Sequence, residues 1–206
     1  MTREHVSDIA FTLAVKAEQE RRGSRDGYRR MAERREWSDT VTADLAAFVA
    51  ERDSFYLATT NSDGQPYIQH RGGPKGFLGV IDAHTLGIAD FGGNRQFISL
   101  GNLAENDKVC LFLMEDANRR RVKVWARARV VEDDPALIAR LAVPGYDGQP
   151  ERALLFTIEA WDVNCPQHIV RRYTEADIAG AVRRLEDRIV ELEAEVETLR
   201  GGGAGA

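Results

Sequence analysis

The chain has 206 residues, which is enough for one domain with an additional segment, and its formal net charge is -5 at pH 7. This acidic balance argues against a protein that binds nucleic acids or membranes through a general positive charge. Two cysteines, Cys110 and Cys165, are too few for a disulfide framework and fit a reducing compartment. Since no long apolar run is present, we expect a cytoplasmic protein that has no membrane segment.

The first 42 residues predict a polar, helical N-terminal extension. Residues 11–24 and 27–37 are rich in helix-forming residues and are separated by glycines. A third helix is expected to begin at Thr42 or Ala43 and to end near Arg52, at the start of the main domain, which we place at residues 43–173.

From residue 54 the hydrophobic period changes to two, which is typical of β-strands. Strands are predicted at residues 54–60, 67–70, 76–81, 85–90, 108–114, 121–130 and 153–163. A short helix is expected at residues 133–143, with Asp133 or Asp134 as its cap and Pro135 in its first turn. Strands joined as hairpins, with few helices between them, indicate a mainly β (α+β) fold built on an antiparallel barrel.

The C-terminal segment, residues 174–200, has a heptad pattern. Val182, Ile189 and Val196 occupy position a, and Leu185 and Leu192 occupy position d. β-branched residues at a with leucine at d favour a parallel two-stranded coiled coil. The alternative is an amphipathic helix that packs on its own domain. The glycine-rich residues 201–206 predict a disordered tail.

Two segments combine cations with glycines. HRGGPK (70–75) places an arginine and a lysine on either side of a Gly-Gly-Pro run, and GGNR (92–95) follows a strand. We expect Asn94 to cap the next helix and Arg95 to lie in its first turn. Free backbone N–H groups, a helix dipole and an arginine together form an anion site, and phosphate is the anion most often bound in this way.

The order of hairpin, HRGGPK, second hairpin, GGNRQ turn, helix and cationic strand resembles the pyridoxamine 5′-phosphate oxidase-like FMN-binding split-barrel family over residues 43–164. This resemblance implies a split barrel, an FMN cofactor, and a homodimer with FMN in clefts between the subunits. The cofactor-binding residues that it implies are Gln69, His70, Arg71, Gly73, Lys75, Asp90, Asn94 and Arg95, completed by Arg121 or Lys123 of the partner subunit.

The family resemblance further implies an FMN-dependent oxidoreductase. It would transfer hydride or electrons between a nicotinamide or small organic substrate and the flavin, with Lys75 or Arg71 stabilising the reduced, anionic flavin. The sequence assigns no catalytic side chain. Cys165 and His168 form a CxxH pair, but two ligands do not make a zinc site, so no metal is expected.

Three alternative functions stay open at this point. The first is a non-catalytic flavin- or haem-binding redox sensor that signals through the coiled coil. The second is a deazaflavin-dependent reductase on the same fold. The third is a nucleic-acid module, which the acidic net charge disfavours and which would use the cations Arg119, Arg120, Arg121, Lys123, Arg127 and Arg129.

Overall fold

The computed structural model describes residues 3–202, which form two compact units. The first unit contains the chain up to Glu115 together with Arg120–Gln167, and the second contains Asp116–Arg119 and the residues from His168 onward. The predicted tail at 201–206 lies largely outside the described residues, since only its first two residues are described, as the end of a helix.

Seven antiparallel strands form one sheet with the order β2-β1-β5-β6-β7-β4-β3. The strands are β1 (Ser54–Thr60), β2 (Pro66–Gly72), β3 (Gly79–Val80), β4 (Thr85–Phe91), β5 (Lys108–Glu115), β6 (Arg120–Val131) and β7 (Pro150–Val163). The predicted antiparallel split barrel, mainly β within an α+β fold, is confirmed. The strand predicted at 76–81 is much shorter than expected because Pro74–Phe77 forms a turn, in which Gly76 has a φ of +86°.

The helices lie before, between and after the strands. They are α1 (Leu13–Arg21), α2 (Arg25–Arg34), α3 (Ala43–Ala50), α4 (Ile98–Glu105), α5 (Pro135–Leu141) and α6 (Glu175–Gly202), preceded by a 3-10 turn at Val6–Ile9. Side-chain caps explain several of the starts, among them those of α3 and α5. The Thr42 hydroxyl accepts a hydrogen bond from the Leu45 N–H at 3.2 Å, and the Asp134 carboxylate accepts one from the Leu137 N–H at 2.9 Å.

The main core lies on one face of the sheet, and alternate residues of β5 and β6 point into it, whereas β4 and part of β7 are buried on both faces. On β5, Leu111 and Leu113 are fully buried, and on β6 the buried residues include Val122 and Val124. Fully burying an aliphatic side chain of this size contributes about 1.5–3 kcal/mol. Helix α5 covers a second, smaller cluster that contains Ile138. These contacts hold the barrel strands in register and therefore fix the positions of their polar neighbours.

Strands β2 and β4 are far apart in the strand order, yet their side chains meet. Arg71 on β2 forms an ion pair with Asp90 on β4. The sheet must therefore curl until these two strands face each other, as expected of a barrel. This closure creates a groove between β2 and β4, and the candidate site lies there.

The N-terminal extension packs against the sheet within the first unit. Trp37 stacks on Trp125 with ring centroids 4.9 Å apart, and Phe11 lies 5.2 Å from Trp37. The Trp161 indole N–H donates to the carbonyl of Thr40 at 2.8 Å. The extension thus covers an aromatic part of β6 and β7 that would otherwise face solvent.

In the second unit, α6 is a 28-residue helix with a reciprocal cap at its start. The Thr174 hydroxyl accepts from the Asp177 N–H at 3.2 Å, while the Asp177 carboxylate accepts from the Thr174 N–H at 2.8 Å. The predicted a and d residues of α6 are all exposed. No helix in residues 3–202 is both long and apolar enough to cross a membrane.

Candidate functional site

Alternation along β2 places Tyr67, Gln69 and Arg71 on the same face of the strand. All three line a cavity of 280 Å³ together with the loop that follows β4. The Gln69 side chain is held by the Ser99 hydroxyl, which donates to its Oε1 at 2.7 Å. The period-two pattern of β2 therefore presents one amide and one guanidinium to the same space.

The loop between β4 and α4 forms the other wall of this cavity. Asn94 and Arg95 both line it, but they lie before the helix, so the prediction that Asn94 caps the helix with Arg95 in its first turn is wrong. The physical reason is backbone conformation, since Arg95 and Phe97 have left-handed φ values of +59° and +54°, which interrupt a helix. Asn94 instead accepts a hydrogen bond from the Gln96 N–H at 3.2 Å.

Left-handed residues other than glycine cost roughly 1–3 kcal/mol each and concentrate at functional sites. Two of them, Arg95 and Phe97, occur within three residues of this loop. The Arg95 guanidinium carbon lies 5.9 Å from the centre of the Phe97 ring. Among the described residues, no carboxylate forms an ion pair with Arg95, which leaves its charge available to a ligand.

A buried ionic cluster forms the floor of the cavity. The Asp90 side chain is 5% exposed, and its two oxygens bind different arginines, Arg71 and Arg152. The hydrogen bond that Nη1 of Arg152 donates to Oδ2 of Asp90 is 3.0 Å long. The Nε atom of Arg71 is buried and has no hydrogen-bond partner. A buried donor without a partner is costly. The Arg71 side chain as a whole is 16% exposed and lines the cavity.

Arg152 has a structural role in this cluster. Its guanidinium binds three carboxylates, those of Asp90, Glu132 and Glu151. Burial alone would lower the pKa of Arg152, but these hydrogen bonds raise it above its ordinary value. The guanidinium therefore stays charged, and its positive charge is already balanced by the protein.

A second cavity of 330 Å³ adjoins the first and shares Arg71, Asp90 and the segment 91–93 with it. His70, which points to the opposite face of β2, lines this second cavity together with Gly73 and aromatic side chains. The Phe91 and Tyr146 rings lie 5.5 Å apart in its wall. The two cavities together make one groove that runs along β2 and β4.

The groove brings together seven of the ten predicted cofactor-binding residues. The residues that line it are Gln69, His70, Arg71, Gly73, Asp90, Asn94 and Arg95. Gly73 also has an internal reason to be glycine, because a Cβ there would lie 2.8 Å from Phe77. The three other residues are Lys75, Arg121 and Lys123.

Lys75 lies on the surface, where its ammonium donates to Glu51 at 2.9 Å and lowers the pKa of that carboxyl. Lys123 is only partly exposed and lies 3.6 Å from the Asp162 carboxylate, with its ammonium 5.2 Å from the centre of the Trp125 ring. None of the three residues lines the groove within the single chain.

Several residues of the groove were not predicted from the sequence. They are Tyr67, Phe91, Gln96, Phe97, Ser99, Tyr146 and Arg152. Tyr67 was recognisable, since it lies two and four residues before Gln69 and Arg71 on one strand face. The sequence shows Arg152 as a charged residue at the start of an apolar strand. It does not show which carboxylates Arg152 binds, because two of them, Asp90 and Glu132, lie far from it along the chain.

The cysteines do not form a metal centre. No group of three or more His, Cys, Asp or Glu side chains within residues 3–202 is arranged to hold a metal ion. Cys110 and Cys165 are both free thiols, and burial raises the pKa of the Cys110 thiol.

Comparison with known proteins agrees with the observed fold. A family model described as pyridoxamine 5′-phosphate oxidase matches residues 41–165, which is more than half of the chain. The chain belongs to the pyridoxamine 5′-phosphate oxidase-like family. The matched segment contains every strand of the split barrel and both walls of the groove. Among curated proteins, none matches significantly.

Solved structures of similar fold come from several bacteria. HupZ of Group A Streptococcus is 15% identical with a TM-score of 0.50, and the match covers 64% of this chain and 98% of HupZ. An FMN-binding protein from Syntrophomonas wolfei is 14% identical with a TM-score of 0.47, covering 71% and 97%. A protein from Clostridium acetobutylicum related to general stress protein 26 is 18% identical with a TM-score of 0.46, covering 59% and 85%.

The residues of the groove fit a phosphorylated flavin. Arg71 and Arg95 supply positive charge to the groove, and Gln69 and Asn94 supply neutral hydrogen-bonding groups. A Cβ on Gly93 would meet no atom closer than 3.9 Å, so the backbone there is open to a ligand. Arginine pairs well with phosphate because its planar guanidinium donates two parallel hydrogen bonds.

Proposed function

We propose that this protein is an FMN-dependent oxidoreductase, with FMN in the groove between β2 and β4. The observation that carries the proposal is that two arginines line one cavity, Arg71 and Arg95, and that no carboxylate of residues 3–202 forms an ion pair with Arg95. Membership of a family of flavin-binding folds supports the identity of the cofactor. FMN would supply the redox chemistry by accepting and releasing a hydride or single electrons.

The side chains of the groove would bind and orient this cofactor. Arg71 and Arg95 would neutralise the phosphate, and the Asp90 carboxylate keeps the Arg71 guanidinium fixed on β2. Gln69, which is itself held by Ser99, would orient the ligand through its amide. A fixed set of donors loses little entropy when the ligand arrives, which is the main advantage of such preorganisation.

The second cavity, lined by His70, Phe91 and Tyr146, is the proposed place for the flavin ring and for a small substrate beside it. Aromatic walls and exposed glycine backbone suit a flat, largely apolar ring. We propose a nicotinamide or another small organic molecule as the electron donor. His70 is the histidine nearest to this space, and no side chain is assigned a catalytic role.

Arg95 provides the sharpest test of the phosphate site. We expect the wild-type protein to bind FMN at least tenfold more tightly than riboflavin, which lacks the phosphate. Arg95→Ala should remove most of this preference, because a charge-assisted hydrogen bond is worth about 1.5–3 kcal/mol. The matched control is Arg129→Ala, which removes an exposed arginine on β6 outside the groove.

Equal binding of FMN and riboflavin by the wild-type protein would contradict the phosphate site. An Arg129→Ala variant that lost as much preference as Arg95→Ala would attribute the effect to overall charge rather than to the groove. Titrations with haem and with a deazaflavin such as coenzyme F420 complete the experiment. Tighter binding of either ligand than of FMN would replace the proposal by the corresponding haem- or deazaflavin-binding function.

A further inference from the structure

We infer that α6 forms a parallel, in-register, two-stranded coiled coil with α6 of a second copy of this chain. This inference does not depend on the proposed flavin chemistry. It concerns the apolar stripe of α6, which we define as Ile178, Val182, Leu185, Ile189, Leu192, Val196 and Leu199.

Every side chain of this stripe is at least 41% exposed, and Leu199 reaches 77%. The stripe thus follows one side of a helix of 28 residues, which is about 42 Å long at 1.5 Å per residue. Helical stability in proteins comes mostly from packing an apolar face, and contiguous apolar patches mark interaction sites. Within the described residues of the single chain, the stripe is therefore an exposed apolar face that a partner helix could cover.

The spacing of the stripe specifies the geometry of that partner. Successive apolar residues of the stripe are separated alternately by four and by three positions, which averages 3.5 residues. A repeat of this length produces a left-handed supercoil of two or more helices. Position a holds Val182, Ile189 and Val196. Position d holds leucine at 185, 192 and 199, after an isoleucine at 178. β-branched residues at a with leucine at d favour two parallel strands over three or four.

The charges beside the stripe indicate a second copy rather than an unrelated helix. In a parallel, in-register pair, a residue at position g faces the residue five positions later on the other helix. Arg188 would then face Glu193, and Glu195 would face Arg200. Both pairs are attractive, and both are formed twice by two-fold symmetry.

An antiparallel pair brings e positions together and g positions together. Arg188 and Glu195 at g would attract each other. Glu186 and Glu193 at e are both acidic and would repel, so only the parallel pair has attraction at both edges. Within a single helix, Arg188 contacts Glu191 at 2.8 Å and Glu195 at 3.9 Å. These side chains are all more than half exposed, so Arg188 can exchange these weak ion pairs for one across the helix interface.

Disulfide trapping in the full chain tests both the partner and its direction. The background is Cys165→Ser, which removes the exposed thiol, while burial raises the pKa of the remaining Cys110 thiol and slows its reaction. Single variants Val182→Cys and Leu192→Cys place a thiol at positions a and d. The matched control is Asp187→Cys at the outward-facing position f.

Under mild oxidation at low micromolar protein, we expect disulfide-linked dimers of the 182 and 192 variants to form at least tenfold faster than those of the 187 variant. Equal rates at all three positions, or no dimer at 182 and 192, would overturn the inference. A mixture of the Val182→Cys and Leu199→Cys proteins that yielded mainly the mixed disulfide would show an antiparallel pair and would also overturn it.

Discussion

At the scale of single residues, two glycines of the groove have different reasons to lack a side chain. A Cβ on Gly73 would lie 2.8 Å from Cβ and Cγ of Phe77, so this glycine is required by packing. A Cβ on Gly93 would meet only the Phe91 carbonyl oxygen at 3.9 Å, and it would occupy space at the groove. Gly93 is therefore the position at which a ligand, rather than the fold, would exclude a methyl group.

We predict that Gly93→Ala weakens FMN binding about tenfold, equivalent to about 1.4 kcal/mol, and leaves the free energy of unfolding of the ligand-free protein nearly unchanged. Gly73→Ala should instead lower that free energy by about 1–3 kcal/mol, since Phe77 must move. Chemical denaturation and a flavin titration of both variants measure the two effects. Unchanged FMN affinity in Gly93→Ala would contradict the placement of the ligand against this backbone.

The buried carboxylate of Asp90 is the second residue with a distinct role. Because it holds Arg71 and Arg152 together, Asp90→Ala should lower the free energy of unfolding by about 3 kcal/mol, as expected when one partner of a buried ion pair is removed. The control is Asp26→Ala, which breaks an exposed ion pair with Arg29 and should have little effect. Similar losses in both variants would show that the Asp90 cluster does not hold β2 against β4.

At the scale of elements, the sequence predicted most of the secondary structure because the periodicity of each segment is set by which face is buried. The bounds of β5, β6 and β7 were predicted to within a few residues, and so were those of α5. Its cap was predicted as Asp133 or Asp134, and the structure shows Asp134. The predicted bounds of strands and helices were wrong where the local backbone conformation, and not the hydrophobic pattern, decides where an element begins or ends. The turn at Pro74–Phe77 shortened β3, and the left-handed residues Arg95 and Phe97 delayed the start of α4.

The candidate site was predicted in part for a similar reason. Arg71 and Arg95 were recognisable as cations beside glycines, whereas the contact of Arg71 with Asp90 depends on closure of the barrel. The pairing of Lys75 with Glu51 and of Lys123 with Asp162 likewise depends on tertiary contacts that no local pattern contains. Contacts between residues distant in sequence are the part of the site that composition and spacing do not specify.

The cap of α5 gives a prediction at this scale. Asp134→Ala should lower the free energy of unfolding by about 1 kcal/mol, because the Leu137 N–H loses its partner at 2.9 Å. Asp133→Ala changes the neighbouring carboxylate, which is not the cap, and should be close to neutral. Urea denaturation compares the two variants. Equal effects would mean that the lost charge, and not the cap, determines the change.

At the scale of the whole molecule, the exposed stripe of α6 is an apolar surface that bears on self-association. Members of this family are typically dimeric. A barrel dimer would bring two copies of α6 into one assembly and raise their effective concentration, which strengthens a coiled coil that has only three heptads. We propose a homodimer in which the barrel contact suffices for association.

We predict that a variant with both Leu185→Lys and Leu192→Lys remains a folded dimer, since these changes place charges in the stripe of α6 and leave the barrel unchanged. Light scattering gives the mass, and circular dichroism should show a loss of helical signal from α6. The control carries Asp187→Lys, which lies outside the stripe. Monomers of the double variant would show that the coiled coil, and not the barrel, is the main contact.

The central claim, that the groove between β2 and β4 holds FMN, is tested most directly by the absorbance spectrum of the purified protein and the mass of whatever heat releases from it. The account predicts a flavin spectrum and a released molecule with the mass of FMN. A colourless protein that also fails to bind added FMN would contradict the account, and the groove lined by Arg71 and Arg95 would then belong to a different ligand.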